Sequence, residues 1–328
     1  MAARTIDGFL FVGDPHLTSR RPGRRKDADF GRTVLAKIEQ CVRIANDRNL
    51  QLVFLGDLFD RPTEENESLK PALVRLLMGL RYVAISNLGN HEIISSALSD
   101  SDTISILDAG KSLRIQKASG LIGVFTLASD GEEMTVALGA TPFGQIIPDD
   151  VSEHLAQADT VIWLTHHDIA FDGSYPGAQE PFEIQGCGLV VNGHMHAPFP
   201  AIERGETTWF NPGNITRLSV DTMDHEPTVW EFSASGEMTP HVLDHEKAVF
   251  DLTGRLLAEG KREARARIED DASVFVDLLE KESPADLRAS ADGSLIAELI
   301  AAKFVHDQTP PAVQNLVKRL LSEALEAS

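Results

Sequence analysis

Leu52-Val53-Phe54-Leu55-Gly56-Asp57 is an apolar run that stops at a glycine and hands an aspartate to whatever follows. The same event recurs on both sides of it. Upstream, Ile6–Val12 ends at Gly13-Asp14-Pro15-His16; downstream, Tyr82–Ile85 leads into Asn87-Leu88-Gly89-Asn90-His91. Between these runs lie stretches with helical spacing. Phe30–Arg48 puts Val34, Ile38, Cys41, Val42 and Ala45 on one side, and Ser68–Gly79 repeats Leu69, Leu73, Leu76 and Leu77. Strand alternating with helix predicts right-handed crossovers and a mainly parallel sheet. In such sheets ligands gather at the carboxyl ends of the strands, which is where Asp14, Asp57 and Asn90 fall.

Further along, the pattern changes. Leu113–Ile115, Ile122–Leu127 and Met134–Ala140 are short β-rich pieces, with a turn at Ser129-Asp-Gly-Glu, and they predict antiparallel or mixed pairing. Val161–Leu164 then delivers His166, Leu189–Val191 delivers Asn192-Gly-His194-Met-His196, and Thr208–Phe210 delivers Asn211-Pro-Gly-Asn214. Val229–Phe232 and His241–Leu243 read as closing strands. Past residue 245 the composition shifts to helix candidates at Arg255–Ile268, Ser273–Glu280 and Leu295–Val305. A last helix opens at Pro310-Pro311. The expected division is therefore 1–245 and a helical region over 246–328.

Composition excludes several classes. The 328 residues suffice for a large core, with 42% hydrophobic and 24% charged residues. No apolar run is long enough to cross a bilayer, and the first residues lack the signal-peptide pattern. The expectation is a soluble cytoplasmic protein. Cys41 and Cys187 have neither disulfide-framework nor zinc-finger spacing. The formal charge is -20, and both parts of the chain carry more acidic than basic side chains. That weighs against a stand-alone nucleic-acid binder.

The polar residues at the strand ends form one set: Asp14 and His16, Asp57, Asn90 and His91, His166, then His194 and His196. Imidazole nitrogens and carboxylate oxygens are ligands for divalent metals. Asp14-x-His16 and His194-x-His196 would each put two ligands on one side of an extended segment. Asp57, with two carboxylate oxygens, could bridge two metals, and Asn90 offers a neutral carbonyl. Seven ligands with one bridging give four protein bonds to each metal. Two metals about 3.5–4 Å apart make a clamp for in-line phosphoryl displacement, with a metal-bridging hydroxide as the expected nucleophile. His91 would stabilise developing charge or protonate the leaving alkoxide. The glycines at 56, 89 and 193 fit turns where backbone must crowd the metals. The other histidines, His154, His225, His241, His245 and His306, read as structural.

The motifs Gly13-Asp-Pro-His16, Gly56-Asp-Leu-Phe-Asp60, Gly89-Asn-His-Glu92, His166-His167 and Gly193-His-Met-His196 resemble those of the calcineurin-like metallophosphoesterases. The resemblance spans roughly residues 6–245. It implies an α/β fold, a four-layer α-β-β-α sandwich with two central mixed sheets, here followed by a helical appendage. It implies that Asp14, His16, Asp57 and His196 hold one metal, and Asp57, Asn90, His166 and His194 the other. Two divalent ions are implied, manganese in the nuclease branch, with iron or zinc elsewhere. His166, first after its strand, takes the ligand role, leaving His167 beside the site or facing substrate.

Within that superfamily, Gly56–Pro62 is similar to the corresponding stretch of SbcD-type DNA repair nuclease subunits. The resemblance implies an exo- or endonuclease subunit whose C-terminal helices dock on an SbcC-type coiled-coil ATPase; those helices could instead form a homodimer. Arg20, Arg21, Arg24, Arg25 and Lys26 follow His16 as a basic loop that could reach DNA phosphates. The Asn211-Pro-Gly turn resembles that of small phosphatases equally well. A phosphatase or phosphodiesterase acting on a small molecule or phosphoprotein is the second reading. A non-catalytic scaffold is the third, disfavoured by the complete ligand set.

Overall fold

The computed structural model describes residues 5–252, apart from 96, 130 and 172–176. The chain runs through β1 (Thr5–Ile6), β2 (Gly8–Val12), α1 (Phe30–Asp47), β3 (Leu50–Phe54), α2 (Leu69–Met78), β4 (Ala84–Ser86), α3 (Ser105–Ala109) and β5 (Leu113–Ile115). β6 (Gly120–Ser129) and β7 (Glu132–Thr141) form an antiparallel pair. β8 (Thr160–Thr165), β9 (Leu189–Asn192), β10 (Phe199–Arg204), β11 (Thr207–Asn211), β12 (Thr228–Ser233) and β13 (Met238–Val242) follow.

Among the described residues these strands build two mixed sheets. The six-stranded sheet has the order β13-β12-β2-β3-β4-β5, and the seven-stranded sheet β1-β6-β7-β8-β9-β11-β10. β2 to β5 are parallel, as the strand-helix alternation predicts. β7, β8, β9 and β11 are parallel in the other sheet. The carboxyl ends of β2, β3, β4, β8 and β9 are the strand ends that carry the polar set.

Side-chain alternation sorts the core. Phe9 and Phe11 of β2 join Val53, Ile162 and Leu164 between the sheets. Leu10 and Val12 turn the other way, joining Leu52 and Phe54 beneath Val34, Ile38 and Leu73 of the helices. α1 begins where the Asp29 carboxylate accepts from Arg32 N at 3.0 Å, a cap contributing about 1 kcal/mol. The far face of the seven-stranded sheet buries Val161, Trp163, Val190 and Trp209 under Ile147, Ile169 and Ile184. Its cover, among the described residues, is loop and a short 3-10 turn at Ser152–Ala156 rather than α-helix. The connections there carry Pro148, Pro181, Gly177, Gly186 and Gly188, which break helices.

The compact unit ends at Leu252, beyond the expected boundary of 245. Residues just past 245 still belong to it: Lys26 N donates to Val249 O and Asp251 N to Arg24 O, each at 2.8 Å. The helices expected after residue 254 lie outside the described residues. No described helix is long and apolar enough to cross a membrane.

Candidate metal centre

The loops after β2, β3, β4, β8 and β9 meet over the sheet ends. Their backbone is unusual. Asp14 (φ 34°), His16 (φ 48°), Asp57 (φ 47°) and His194 (φ 72°) all occupy the left-handed region, which costs a non-glycine residue roughly 1–2 kcal/mol. Asp14 and His16 therefore do not share a side by strand alternation, as the spacing suggested; a turn aims each one. Cross-loop hydrogen bonds hold these turns, with His16 N donating to Asp57 O at 2.9 Å and Asn214 N to His196 O at 3.0 Å. Gly56 and Gly89 are required by contact. A Cβ on Gly56 would lie 2.4 Å from His166 Nδ1, and one on Gly89 would lie 2.1 Å from Asp57 Oδ1.

The side chains converge. Donor atoms of Asp57, His166 and His194 all lie within 4.8 Å of one another. Asp57 Oδ2 stands 3.1 Å from His166 Nε2 and 3.7 Å from His16 Nε2. His16 Nε2 and His196 Nε2 are 3.0 Å apart, and His194 Nδ1 and Asn90 Oδ1 are also 3.0 Å apart. The distal ring nitrogens have other partners. His166 Nδ1 is 3.0 Å from Leu55 O, so it donates there and turns Nε2 toward Asp57 Oδ2. His194 Nε2 donates to the Asp168 carboxylate at 2.9 Å, which leaves Nδ1 as an acceptor facing the Asn90 carbonyl.

This arrangement fits divalent metals. Asp14 and Asp57 are each 1% exposed, and Asp14 Oδ2 makes no hydrogen bond. Two buried carboxylates ringed by imidazoles call for positive charge, which a divalent ion would supply in place of ring protons. Charge already bends the titration of these groups. Burial opposes ionisation of Asp57, but the adjoining His166 outweighs it and holds the carboxyl well below the usual range. Burial likewise opposes the His166 cation, yet the Asp57 carboxylate pushes that group up to about 9. His16 is also raised, burial being outweighed by Asp60, Asp57 and Asp14. His196, lowered to about 4 by burial and by His16, is a neutral imidazole at neutral pH.

His91 sits at the rim, half-buried. Its backbone N donates to Asp57 Oδ1 at 2.9 Å, and its Nδ1 donates to Asp60 O at 2.7 Å. Nε2 is thereby the nitrogen left for a substrate, beside a cleft of about 350 Å³ lined by Asp60, Arg61, Pro62 and Asn90.

The expected substrate-binding residues fare differently. Arg25 is 3% exposed and spends its guanidinium on Asp27 at 2.7 Å and on the carbonyls of Thr216 and Arg217. His167 spends both ring nitrogens on protein, Nδ1 accepting from His166 N and Nε2 donating to Gln145 O, so it braces a loop instead of facing substrate. Arg20 pairs with Glu65, Arg21 donates to Asp27 O and Arg24 to Asp251 O. These three and Lys26 lie on the loop that leaves His16. Three residues escaped the sequence reading. Asp60 stands 3.3 Å from His16 Nδ1, Asp168 holds His194, and Glu92 accepts from Leu58 N and Gly89 N at 2.8 and 3.0 Å. Asp60 and Glu92 lay inside quoted motifs; Asp168, two residues past His166, carried no signal.

A family model described as calcineurin-like phosphoesterase matches residues 8–198. No curated protein matches. Among solved structures, a 5′-nucleotidase precursor from Thermus thermophilus is similar at TM-score 0.41 and 15% identity. That match covers 74% of this chain and 56% of the nucleotidase, so the chain spans little more than half of that relative's length. A hypothetical protein from the same organism is similar at TM-score 0.41 and 14% identity, over 73% of this chain and 99% of that one. GAP50, the anchor in the inner membrane complex of Plasmodium, is similar at TM-score 0.37 and 12% identity, over 75% and 91%. With the family model spanning more than half of its length, the chain belongs to the calcineurin-like phosphoesterase family.

Proposed function

We propose that the chain applies its family's metal-dependent phosphoester hydrolysis to a phosphodiester, as the nuclease subunit of a DNA-processing assembly. Asp14, His16, Asp57 and His196 would hold one divalent ion, and Asp57, Asn90, His166 and His194 the second. Such a pair, when bound, polarises phosphoryl oxygens and lowers the pKa of water. The chain's own groups do the rest. Asp168 and the Leu55 carbonyl fix the tautomers of His194 and His166. His91 protonates the leaving alkoxide through Nε2 while the Asp60 carbonyl holds Nδ1.

The position of His91 carries the hydrolase reading. It is bonded to Asp57 through its backbone and free at one ring nitrogen beside a cleft. Support for DNA is the Gly56–Pro62 stretch and the arginines at 20, 21 and 24 leaving His16. Manganese is the proposed metal, and an SbcC-type ATPase engaging residues 246–328 the proposed partner. The burial of Arg25 and the net charge of -20 favour a second reading, hydrolysis of a small phosphoester.

Purified protein with manganese, offered linear double- and single-stranded DNA alongside bis-p-nitrophenyl and p-nitrophenyl phosphate, separates the two. Asp57→Ala protein is the blank. DNA cleavage lost in the blank is the expected result. Hydrolysis of the small esters with DNA intact, also after addition of a candidate ATPase, would sink the nuclease reading and leave the second.

A further inference from the structure

α1 carries a lysine that the metal centre does not use. Lys37 is 4% exposed, and its Nζ makes no hydrogen bond. Two more buried cations stand by it, Arg25 and Arg217, each 3% exposed. Arg25 spends its guanidinium on Asp27, at 2.7 and 2.9 Å, and on the carbonyls of Thr216 and Arg217. Arg217 reaches only carbonyls, those of Met223, Glu246 and Lys247, and its Nε has no partner. Of these three buried cations, Arg25 is the one that pairs with a carboxylate among the described residues.

They line one cavity. Arg25, Lys37 and Arg217, with Thr33 and Gln40, surround about 430 Å³. Asp244 and Glu246 also reach its wall, but among the described residues neither carboxylate pairs with any of the three cations. Burial, and then the neighbouring Arg217, push the Lys37 ammonium down to about 8, so it stays mostly charged at neutral pH. An unpaired buried charge is costly unless something compensates it.

We infer that this cavity is a binding site for a small oxyanion of the phosphate class. The two lining carboxylates, Asp244 and Glu246, belong to exposed residues, whereas Lys37 Nζ and Arg217 Nε are buried donors with no hydrogen-bond partner among the described residues. The guanidinium Nε of Arg217 and the ammonium of Lys37 are donors suited to its oxygens. None of the lining residues belongs to the metal set, so the site is separate from the hydrolytic centre. It is joined to that centre through one loop: Arg217 N donates to Asn214 Oδ1 at 3.0 Å, and Asn214 N to His196 O at 3.0 Å.

The test uses the full-length, metal-supplied protein in chloride of matched ionic strength, titrated with inorganic phosphate and followed by thermal unfolding and calorimetry. Phosphate could also bind at the metal centre, so each titration is repeated in an Asp57→Asn background. The expected result is a rise in Tm of about 5 °C at a hundredfold excess over the dissociation constant. That rise persists with Asp57→Asn and disappears with Lys37→Met. Without phosphate, Lys37→Met unfolds no lower than the parent, which separates loss of the site from misfolding. A rise that survives Lys37→Met, or one absent with Asp57→Asn, overturns the site.

Discussion

His91 shows what one side chain is asked to do. It bonds Asp57 through its backbone, and although its ring stands with His16 and Asp60 as a group of donors within 4.8 Å of one another, the proposed function gives that ring to the reaction and not to a metal. His91→Ala is expected to keep metal content while turnover falls about 10²–10⁴-fold, the usual reach of one acid-base group. Metal analysis beside steady-state kinetics checks it; full turnover would remove His91 from the mechanism. Lys37 sets a second expectation. Its folded-state value of about 8 lies below the ordinary 10.5. Below pH 8 the group is charged in both states and its penalty is complete. Between the two values the unfolded chain binds a proton that the folded chain lacks, so stability climbs with pH, by up to about 3 kcal/mol. Lys37→Met should flatten that climb in urea unfolding at about pH 7.5 and about pH 10; unchanged profiles would show that the lysine is solvated. Both residues bear on what a sequence discloses. His91 was legible because it follows a glycine and an asparagine at a strand end. Lys37 and Arg25 were not: a lysine on a helix and an arginine in a basic run both read as solvent-exposed, and burial comes from residues distant in sequence, Thr216 and Arg217 among them.

Among the elements, the ones that alternate cleanly were readable. Phe30–Asp47 has one apolar stripe and a capping aspartate, and β2, β3, β4, β8 and β9 each end at a motif. β10 was missed because Phe199-Pro-Ala-Ile-Glu-Arg contains a proline and faces solvent, as an edge strand can. Strand spacing also misled over Asp14 and His16, since side-chain alternation holds only while φ stays negative. The loops after β3 and β4 are held by Glu92, 1% exposed at the short 3-10 turn Asn90–Glu92. One carboxylate oxygen takes Leu58 N beyond β3 and the other Gly89 N beyond β4, tying two ligand-bearing loops together. Glu92→Gln keeps the shape but can accept through one oxygen only, and its amide nitrogen would face a backbone donor. The expected cost is about 1–3 kcal/mol, with metal occupancy lowered although no proposed ligand has changed. Denaturant unfolding of the metal-free protein and metal titration of the folded protein measure the two effects apart. Unaltered metal binding would show that the loops hold without the tie.

For the molecule as a whole, the proposed metals bear on stability as well as chemistry. The two sheets put Asp14 and Asp57 at the junction of five loops, each almost wholly buried, with Asp14 Oδ2 unbonded and Asp57 Oδ2 3.1 Å from His166 Nε2. Without metal, the His166 cation answers Asp57, but at 3.6 Å from Asp14 Oδ1 it leaves Asp14 Oδ2 unbonded. Four left-handed turns aim these groups, and their strain needs an opposing gain. Ligands that bind only the folded state supply one, about 2.7 kcal/mol for a site at a hundredfold excess over its dissociation constant. Spread over a domain of this size, that is a Tm shift of about 5–10 °C. Chelation should therefore lower Tm by at least that amount and manganese should restore it, both followed by circular dichroism. Asp57→Asn, having lost the bridging carboxylate, should show little response to either addition. Equal Tm values for chelated and manganese-supplied parent would mean that the buried carboxylates are satisfied without metal, and the two-ion assignment would fall with them.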